Sequence, residues 1–269
     1  MTEISISAAE FGSKECSGII TAISQTFTFA HRAMIKAFRN PESLADVAVM
    51  PIMFTLLFAY LFGGAISGST DAYLPVVIPG ILIMTLVTSC GTSGIQIRED
   101  MDKSITSRFK SMPVARFAPV AGILIADLVR FAIAGAVVFV AGYAIGYRPE
   151  WSMILACILF MMFFAWCLSW LFAFVSISVK SSAMATSAAM MILFPLTFLS
   201  NAFVPAETMP SVLQFFVNSI NPLTKAVSSV REMLTYGTID TDFWLSLLGA
   251  AAILAVFIPL TLRRYMRKT

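Results

Sequence analysis

The chain has 269 residues, of which 58% are hydrophobic and only 12% charged, with a mean hydropathy of +0.86. A soluble domain of this length is about one-quarter charged, so the composition excludes a soluble enzyme and points to a membrane protein that crosses the bilayer several times. The formal net charge of +3 says less than where the charges fall.

Residues 1–18 read as a cytoplasmic N-terminal tail. The first 46 residues contain acidic groups and no continuous apolar core, so no signal peptide is expected. Residues 19–41 follow as an amphipathic segment. Ile23, Phe27, Ala30, Met34 and Phe38 recur at helical spacing on one face, with Arg32, Lys36 and Arg39 opposite. That pattern predicts a helix in the membrane interface with its basic side toward anionic headgroups, closed by Asn40-Pro41. A surface anchor and a partner-contacting elbow are compatible readings of it.

Residues 42–262 hold six apolar stretches, at about 47–66, 76–97, 117–146, 151–179, 187–204 and 243–262. All but one reach the roughly twenty residues a helix needs to cross about 30 Å of hydrocarbon. Residues 263–269 form a basic tail. Lys14, Arg32, Lys36 and Arg39 precede the first stretch. Arg98, Lys103, Arg108, Lys110 and Arg116 lie between the second and third, Lys180 between the fourth and fifth, and Arg263, Arg264, Arg267 and Lys268 after the sixth. These are alternate loops, so the positive-inside rule places both termini in the cytoplasm. The expected fold is an all-α polytopic membrane protein of six transmembrane helices in one domain.

Two GxxxG pairs, Gly64/Gly68 and Gly142/Gly146, suggest close helix packing, within one subunit or between subunits. The loop 98–116 is longer than a simple connection requires. Met101, Ile105, Phe109 and Met112 share one helical face, Glu99, Asp100 and Asp102 fall in a first turn, Arg108 and Lys110 in a last turn, and Pro113 closes the segment. This predicts a short capped helix on the cytoplasmic face, either a solvated interfacial helix or a docking element for a cytoplasmic partner.

Asp127 and Arg130, three apart in the third stretch, are either a structural pair at the cytoplasmic boundary, hydrated or snorkelling, or residues of a cytoplasm-facing cavity. Between the fifth and sixth stretches, Val212, Phe215, Phe216 and Ile220 form one short apolar piece and Val227, Val230 and Leu234 another. Both are too short to span and too apolar for an open loop, so they are expected to dip into the outer leaflet or cap the membrane domain. Pro195 predicts a bent outer end to the fifth stretch.

The sequence lacks the parts of a catalytic site. Its one histidine, His31, lies on the amphipathic segment, and the four cysteines have no metal-ligand spacing. None of the fourteen glycines precedes a lysine, so there is no phosphate-binding loop of the GxxxxGK[ST] kind. No cofactor or metal is expected on this chain and no nucleic acid as partner. Energy is expected from another subunit.

Several segments resemble the type-2 ABC exporter permeases of the daunorubicin/doxorubicin-resistance kind. They are Met50-Pro51-Ile52-Met53 through Phe62-Gly63-Gly64-Ala65-Ile66, Pro79-Gly80-Ile81-Leu82, Glu99-Asp100-Met101-Asp102-Lys103 through Met112-Pro113-Val114-Ala115-Arg116, Ala126-Asp127-Leu128-Val129-Arg130, and Phe194-Pro195 through Phe203-Val204-Pro205 with Asn221-Pro222-Leu223-Thr224. Ser104 and Ser107 depart from the glycine and acidic residue of many relatives. The resemblance implies six spans, an N-terminal elbow helix carrying Arg32, Lys36 and Arg39, and re-entrant outer helices before the last span. It also implies a coupling helix over 99–112, with Glu99, Asp100, Met101, Ile105, Arg108, Phe109 and Met112 facing the ATPase. Two permeases would pair with two separately encoded ATPase subunits, which bind the ATP and Mg, in the plasma membrane of a prokaryote.

The function expected is export of an amphiphilic drug or other hydrophobic small molecule. Export of a lipid-linked glycan or lipid, and a non-transporting membrane anchor or sensor for an ATPase, are the alternatives. An intramembrane enzyme would need catalytic polar residues that the sequence lacks.

Overall fold

The computed structural model describes residues 19–39, 48–103, 117–203, 210–219 and 221–268. Among the described residues there are nine α-helices, one short 3-10 turn and no strand. The helices are α1 (Ile19–Arg39), α2 (Met50–Ser67), α3 (Thr70–Asp102), α4 (Ala118–Ile145), α5 (Ile154–Ser178), α6 (Ser182–Phe198), α7 (Ser211–Ser219), α8 (Pro222–Thr235) and α9 (Thr241–Lys268). In hydrocarbon a backbone N–H or C=O has no water to bond, so a single-chain span must be helical or part of a closed barrel. Four helices, α3, α4, α5 and α9, are long and apolar enough to cross a membrane, while α2 and α6 are apolar but shorter.

Local chemistry sets the helix ends. Gly68 closes α2 in the left-handed region at φ 77°, and Ser69 caps α3 by accepting a hydrogen bond from the Ala72 amide at 3.3 Å. Gly146 closes α4 at φ 119°. The Asn221 side chain accepts from the Leu223 amide at 2.9 Å, and Pro222 occupies the first position of α8, where a missing N–H costs nothing. These tight connections make α2 and α3, and α4 and α5, antiparallel neighbours.

Helix α3 is the axis of the bundle. Its 33 residues give about 50 Å at 1.5 Å per residue, well beyond the hydrocarbon thickness. It packs against α2, α4, α5, α6 and α8 and is the most buried of the four long helices, while α9 is the least. Tyr73, Leu74, Ile78, Ile81, Leu82 and Leu86 fill the main core from one helix. Small residues let neighbours close in: a Cβ at Gly80 would collide with the Ala202 carbonyl oxygen, and one at Gly94 would lie 2.7 Å from the Phe172 carbonyl oxygen of α5.

Within this chain the GxxxG glycines do not pack as pairs. Gly68 and Gly146 end helices, a methyl group on Gly64 would meet nothing within 4 Å, and only Gly142 is a packing contact, against Ile78. The close approaches lie instead at Gly80, Gly94 and Gly122, where the partner is set by tertiary packing and no local spacing announces it.

Helix α1 has three sides rather than two. Thr26, Ala30 and Ala33 are buried against the start of α4, where a Cβ at Gly122 would fall 2.5 Å from that of Phe29. Phe27 and Phe38, about 100° around the helix, are 61% and 48% exposed and suit lipid. Arg32 and Arg39 are exposed on the remaining side. The small residues, not the large apolar stripe, dock on the protein.

At the end of the bundle opposite α1, Tyr143, Trp151, Tyr236 and Trp244 are all well exposed, the composition of an interfacial aromatic belt. The two apolar pieces after α6 are the helices α7 and α8, about 14 and 21 Å long. In α8, Val227, Val230 and Leu234 are buried, whereas Val212, Phe215 and Phe216 of α7 are exposed. Ile220 lies outside the described residues.

The contrast among the glycines gives a direct test. Gly80→Ala must displace a backbone carbonyl and is expected to cost about 1–3 kcal/mol. Gly135→Ala, with open space around it, is expected to be neutral or to stabilise by up to about 1 kcal/mol. Thermal unfolding of the purified variants in one detergent reads both, and equal midpoints would show that the α3 contact at Gly80 is loose.

Candidate functional site

The end of α3 nearest α1 gathers the charges that the sequence singled out. The expectation that Glu99, Asp100 and Asp102 open a separate helix is corrected: α3 runs unbroken through Glu99, Asp100 and Met101 to Asp102. Carboxylates in a last turn oppose the helix dipole by about 0.3–1 kcal/mol each, and each here has a cation. Lys36 Nζ of α1 lies 2.8 Å from Asp100 Oδ1, Arg98 Nη2 2.7 Å from Asp102 Oδ1, and Lys103 Nζ 3.4 Å from Glu99 Oε2. The last pair is exposed and contributes at most about 1 kcal/mol. The first ties α1 to α3. Ile105, Arg108, Phe109 and Met112 lie in residues 104–116, outside the described residues.

Asp102 also serves another helix. Its Oδ2 accepts from the Ser182 amide at 2.8 Å, so a carboxylate badly placed for α3 is well placed at the N-terminus of α6. Arg98 Nη2 donates to the Lys180 carbonyl at 2.7 Å. From α9, Lys268 Nζ donates to the carbonyls of Ile177, Ser178 and Val179 at 2.7, 2.9 and 3.1 Å, satisfying the C-terminus of α5. The short α5–α6 turn is thus held by side chains from α3 and α9. Sequence reasoning missed these roles; the one available signal was the i,i+4 spacing of Arg98 and Asp102.

Asp127 and Arg130 differ from expectation. Both are buried, 1% and 7% exposed, because α3 packs along α4 and α1 covers its start. Neither side chain reaches the surface of this chain, so Arg130 does not snorkel. Asp127 Oδ1 accepts from Ser93 Oγ at 2.6 Å and from Arg130 Nη1 at 3.3 Å, and Arg130 Nη1 also donates to Ser93 Oγ at 3.2 Å. Ser93 comes from α3 and was not legible as a partner. Among the described residues, Asp127 Oδ2 and Arg130 Nε and Nη2 are buried without a hydrogen-bond partner.

A second polar assembly closes the opposite end. Helix α6 stops at Phe198, just after Pro195, and the residues that follow turn inward against Gly80. Arg231 Nη2 of α8 donates to the carbonyls of Asn201 at 2.9 Å and Val76 of α3 at 3.2 Å. Tyr73 Oη donates to the Phe203 carbonyl at 2.9 Å, and Asn221 Nδ2 donates to the carbonyls of Leu196 at 2.8 Å and of Leu199. Phe203 stacks on Phe58 of α2 with ring centroids 4.4 Å apart. Sequence reasoning did not single out Arg231, although one arginine in a short apolar segment after Asn-Pro was the available signal.

The family model described as ABC-2 type transporter matches residues 24–235. The chain is similar to the daunorubicin resistance ABC transporter permease protein DrrB1 of Streptomyces coeruleorubidus, at 35% identity over 253 residues, covering 92% of this chain and 88% of that protein. It is also similar to the putative transport permease ycf38 of Cyanophora paradoxa, at 23% identity over 221 residues, covering 80% of this chain and 76% of that protein. The matched region takes in most of α1, the whole α3 axis with its charged end, the buried pair in α4 and the assembly around Arg231. The chain belongs to the ABC-2 type transporter family and is one of its membrane permeases.

Proposed function

We propose that this permease is the membrane subunit of an ATP-binding cassette exporter that moves an amphiphilic drug or other hydrophobic small molecule out of the cell, driven by ATP hydrolysed on a separate subunit. The observation that carries the reading is the 35% identity to a daunorubicin resistance permease, which extends over nearly the full length of both chains. In this reading α2 and α6 cross the membrane beside the four long helices, making six spans, with both termini in the cytoplasm of a prokaryotic cell. The gathering of basic residues at the end that holds α1, the last turn of α3 and the end of α9 supports that orientation. Helices α7 and α8 are the re-entrant pair on the outer side.

Two permeases pair with two ATPases, and residues 99–112 are the segment on which the ATPase acts. Helix α1 is the elbow, joined to that segment through Lys36 and Asp100. Cargo moves along the side of α3 between α2 and α6. There Met84, Thr88 and Thr92 form a partly exposed stripe at helical spacing. Both threonine hydroxyls are turned back onto their own helix, to the carbonyls of Met84 at 2.9 Å and Thr88 at 3.3 Å. The stripe therefore offers methyl and thioether surface, which suits an apolar cargo. The Arg231 assembly with Phe203 seals the outer end and releases when ATP is bound.

The direct test is accumulation of daunorubicin as a fluorescent probe in inverted vesicles holding this chain and its cognate ATPase. ATP-dependent accumulation, lost when the phosphate-binding lysine of the ATPase is replaced, is the expected result. Uptake of a fluorescent lipid but not of the drug would favour lipid export, and neither would leave an anchoring role. The purified single chain is expected to hydrolyse no ATP.

Reversing Glu99 and Asp100 to lysine is expected to reduce transport at least tenfold at unchanged membrane content. In the last turn of α3 the reversal favours the helix dipole by about 0.3–1 kcal/mol per group. The two pairs it removes, Lys36–Asp100 and Lys103–Glu99, are partly exposed and worth about 1 kcal/mol each, too little to unfold the bundle. Undiminished transport at equal expression would place the docking segment elsewhere.

The buried pair in α4 is assigned a structural role. Breaking one partner strands a charge at about 3–5 kcal/mol, so Asp127→Asn and Arg130→Gln singly are expected to lower the yield of folded protein. The double variant removes both charges and is expected to retain transport. A well-folded double variant with altered cargo preference would put the pair in the cargo path.

A further inference from the structure

The clamp on the α5–α6 turn has a consequence for how force moves through the bundle. Helix α6 borders the cargo stripe. Among the described residues, the helices that α6 packs against most are α3 and α5, and near its far end Asn221 donates to its Leu196 carbonyl. Its outer-facing side chains Met184, Met191, Phe194 and Phe198 are at least half exposed, so no helix among the described residues covers it on that side. At its N-terminus Asp102 of α3 accepts from the first helical amide of α6, and Arg98, bonded to the same Asp102, grips the preceding Lys180 carbonyl. The bonds are short, they run between charged and backbone groups, and they join the last turn of α3 directly to the first turn of α6.

We propose that Asp102, oriented by Arg98, is the positioning residue through which a load on the end of α3 is passed to α6. The proposal rests on the reading that the ATPase acts at that end, and it names the part that moves in response. A rigid helix of 17 residues displaced at its first turn carries the displacement to Pro195 and the residues that pack on Gly80, so one linkage reaches both the wall of the path and its seal. The Lys36–Asp100 bridge holds the elbow instead, and Lys103–Glu99 stays within α3, so neither can replace it.

The test uses the intact permease–ATPase complex with nitroxide labels at Ser187 on α6 and Val140 on α4, both exposed, and reads the interlabel distance with and without trapped ATP. Unaltered Asp102 is expected to give a shift in the distance distribution on trapping. Asp102→Ala is expected to lose the shift and at least tenfold of transport, compared with the unaltered complex at equal ATPase occupancy. Asp102→Glu, which keeps the carboxylate, is expected to restore both. If Asp102→Ala does not accumulate, Arg98→Gln serves instead and is expected to reduce the shift. The proposal is overturned if the shift is as large in these variants as in the unaltered complex, or if trapping ATP produces no shift at all. A shift that depends on Asp102 in a complex that moves no drug would keep the linkage and remove the exporter reading.

Discussion

The constraint on which this structure depends is that a backbone group in hydrocarbon must find its partner inside the protein. Continuous helices meet it by themselves; the difficulty lies where helices stop. The inward fold after Phe198 leaves such helix ends to be satisfied, and the α5–α6 turn at the basic end, where the bonds are largely exposed, is served in the same way by side chains from elsewhere in the chain. Arg98, Asp102 and Lys268 supply one end, and Tyr73, Asn221 and Arg231 the other. Helix α3 contributes to both sets, which is why it is long, central and buried.

The same arrangement explains the odd placement of acidic groups at the end of α3. Judged by α3 alone, Glu99, Asp100 and Asp102 weaken the helix terminus. Judged by the bundle, Asp100 holds α1 and Asp102 caps α6. A residue that looks misplaced within its own element is accounted for by the element it reaches.

This divides what the sequence disclosed from what it withheld. The apolar stretches, the alternating basic loops and the two short helices before α9 were legible because length, charge and spacing are local properties. The family was legible from its motifs, and the similarity to known permeases agrees with it. The close approaches at Gly80, Gly94 and Gly122, the burial of Asp127 and Arg130 and the linkage at Asp102 were not, since each depends on which helix lies opposite. Position along the chain suggested for Asp127 either a hydrated or snorkelling pair at the cytoplasmic boundary or a place in a cytoplasm-facing cavity. The packing of α1 and α3 around α4 enclosed it, and Ser93 became its partner. Of the segment proposed to couple to the ATPase, Glu99, Asp100 and Met101 have a place in the fold, and Ile105 to Met112 lie outside the described residues.

The central claim is that the folded-in residues after α6 are the outer seal of an export path and open when the ATPase binds ATP. Ala202 is 2% exposed and rests on Gly80, so Ala202→Cys can report on the seal with a membrane-impermeant maleimide added from the outside, in complexes with and without trapped ATP. The account predicts slow labelling at rest and labelling at least tenfold faster with ATP trapped. Equal rates in the two states would contradict it.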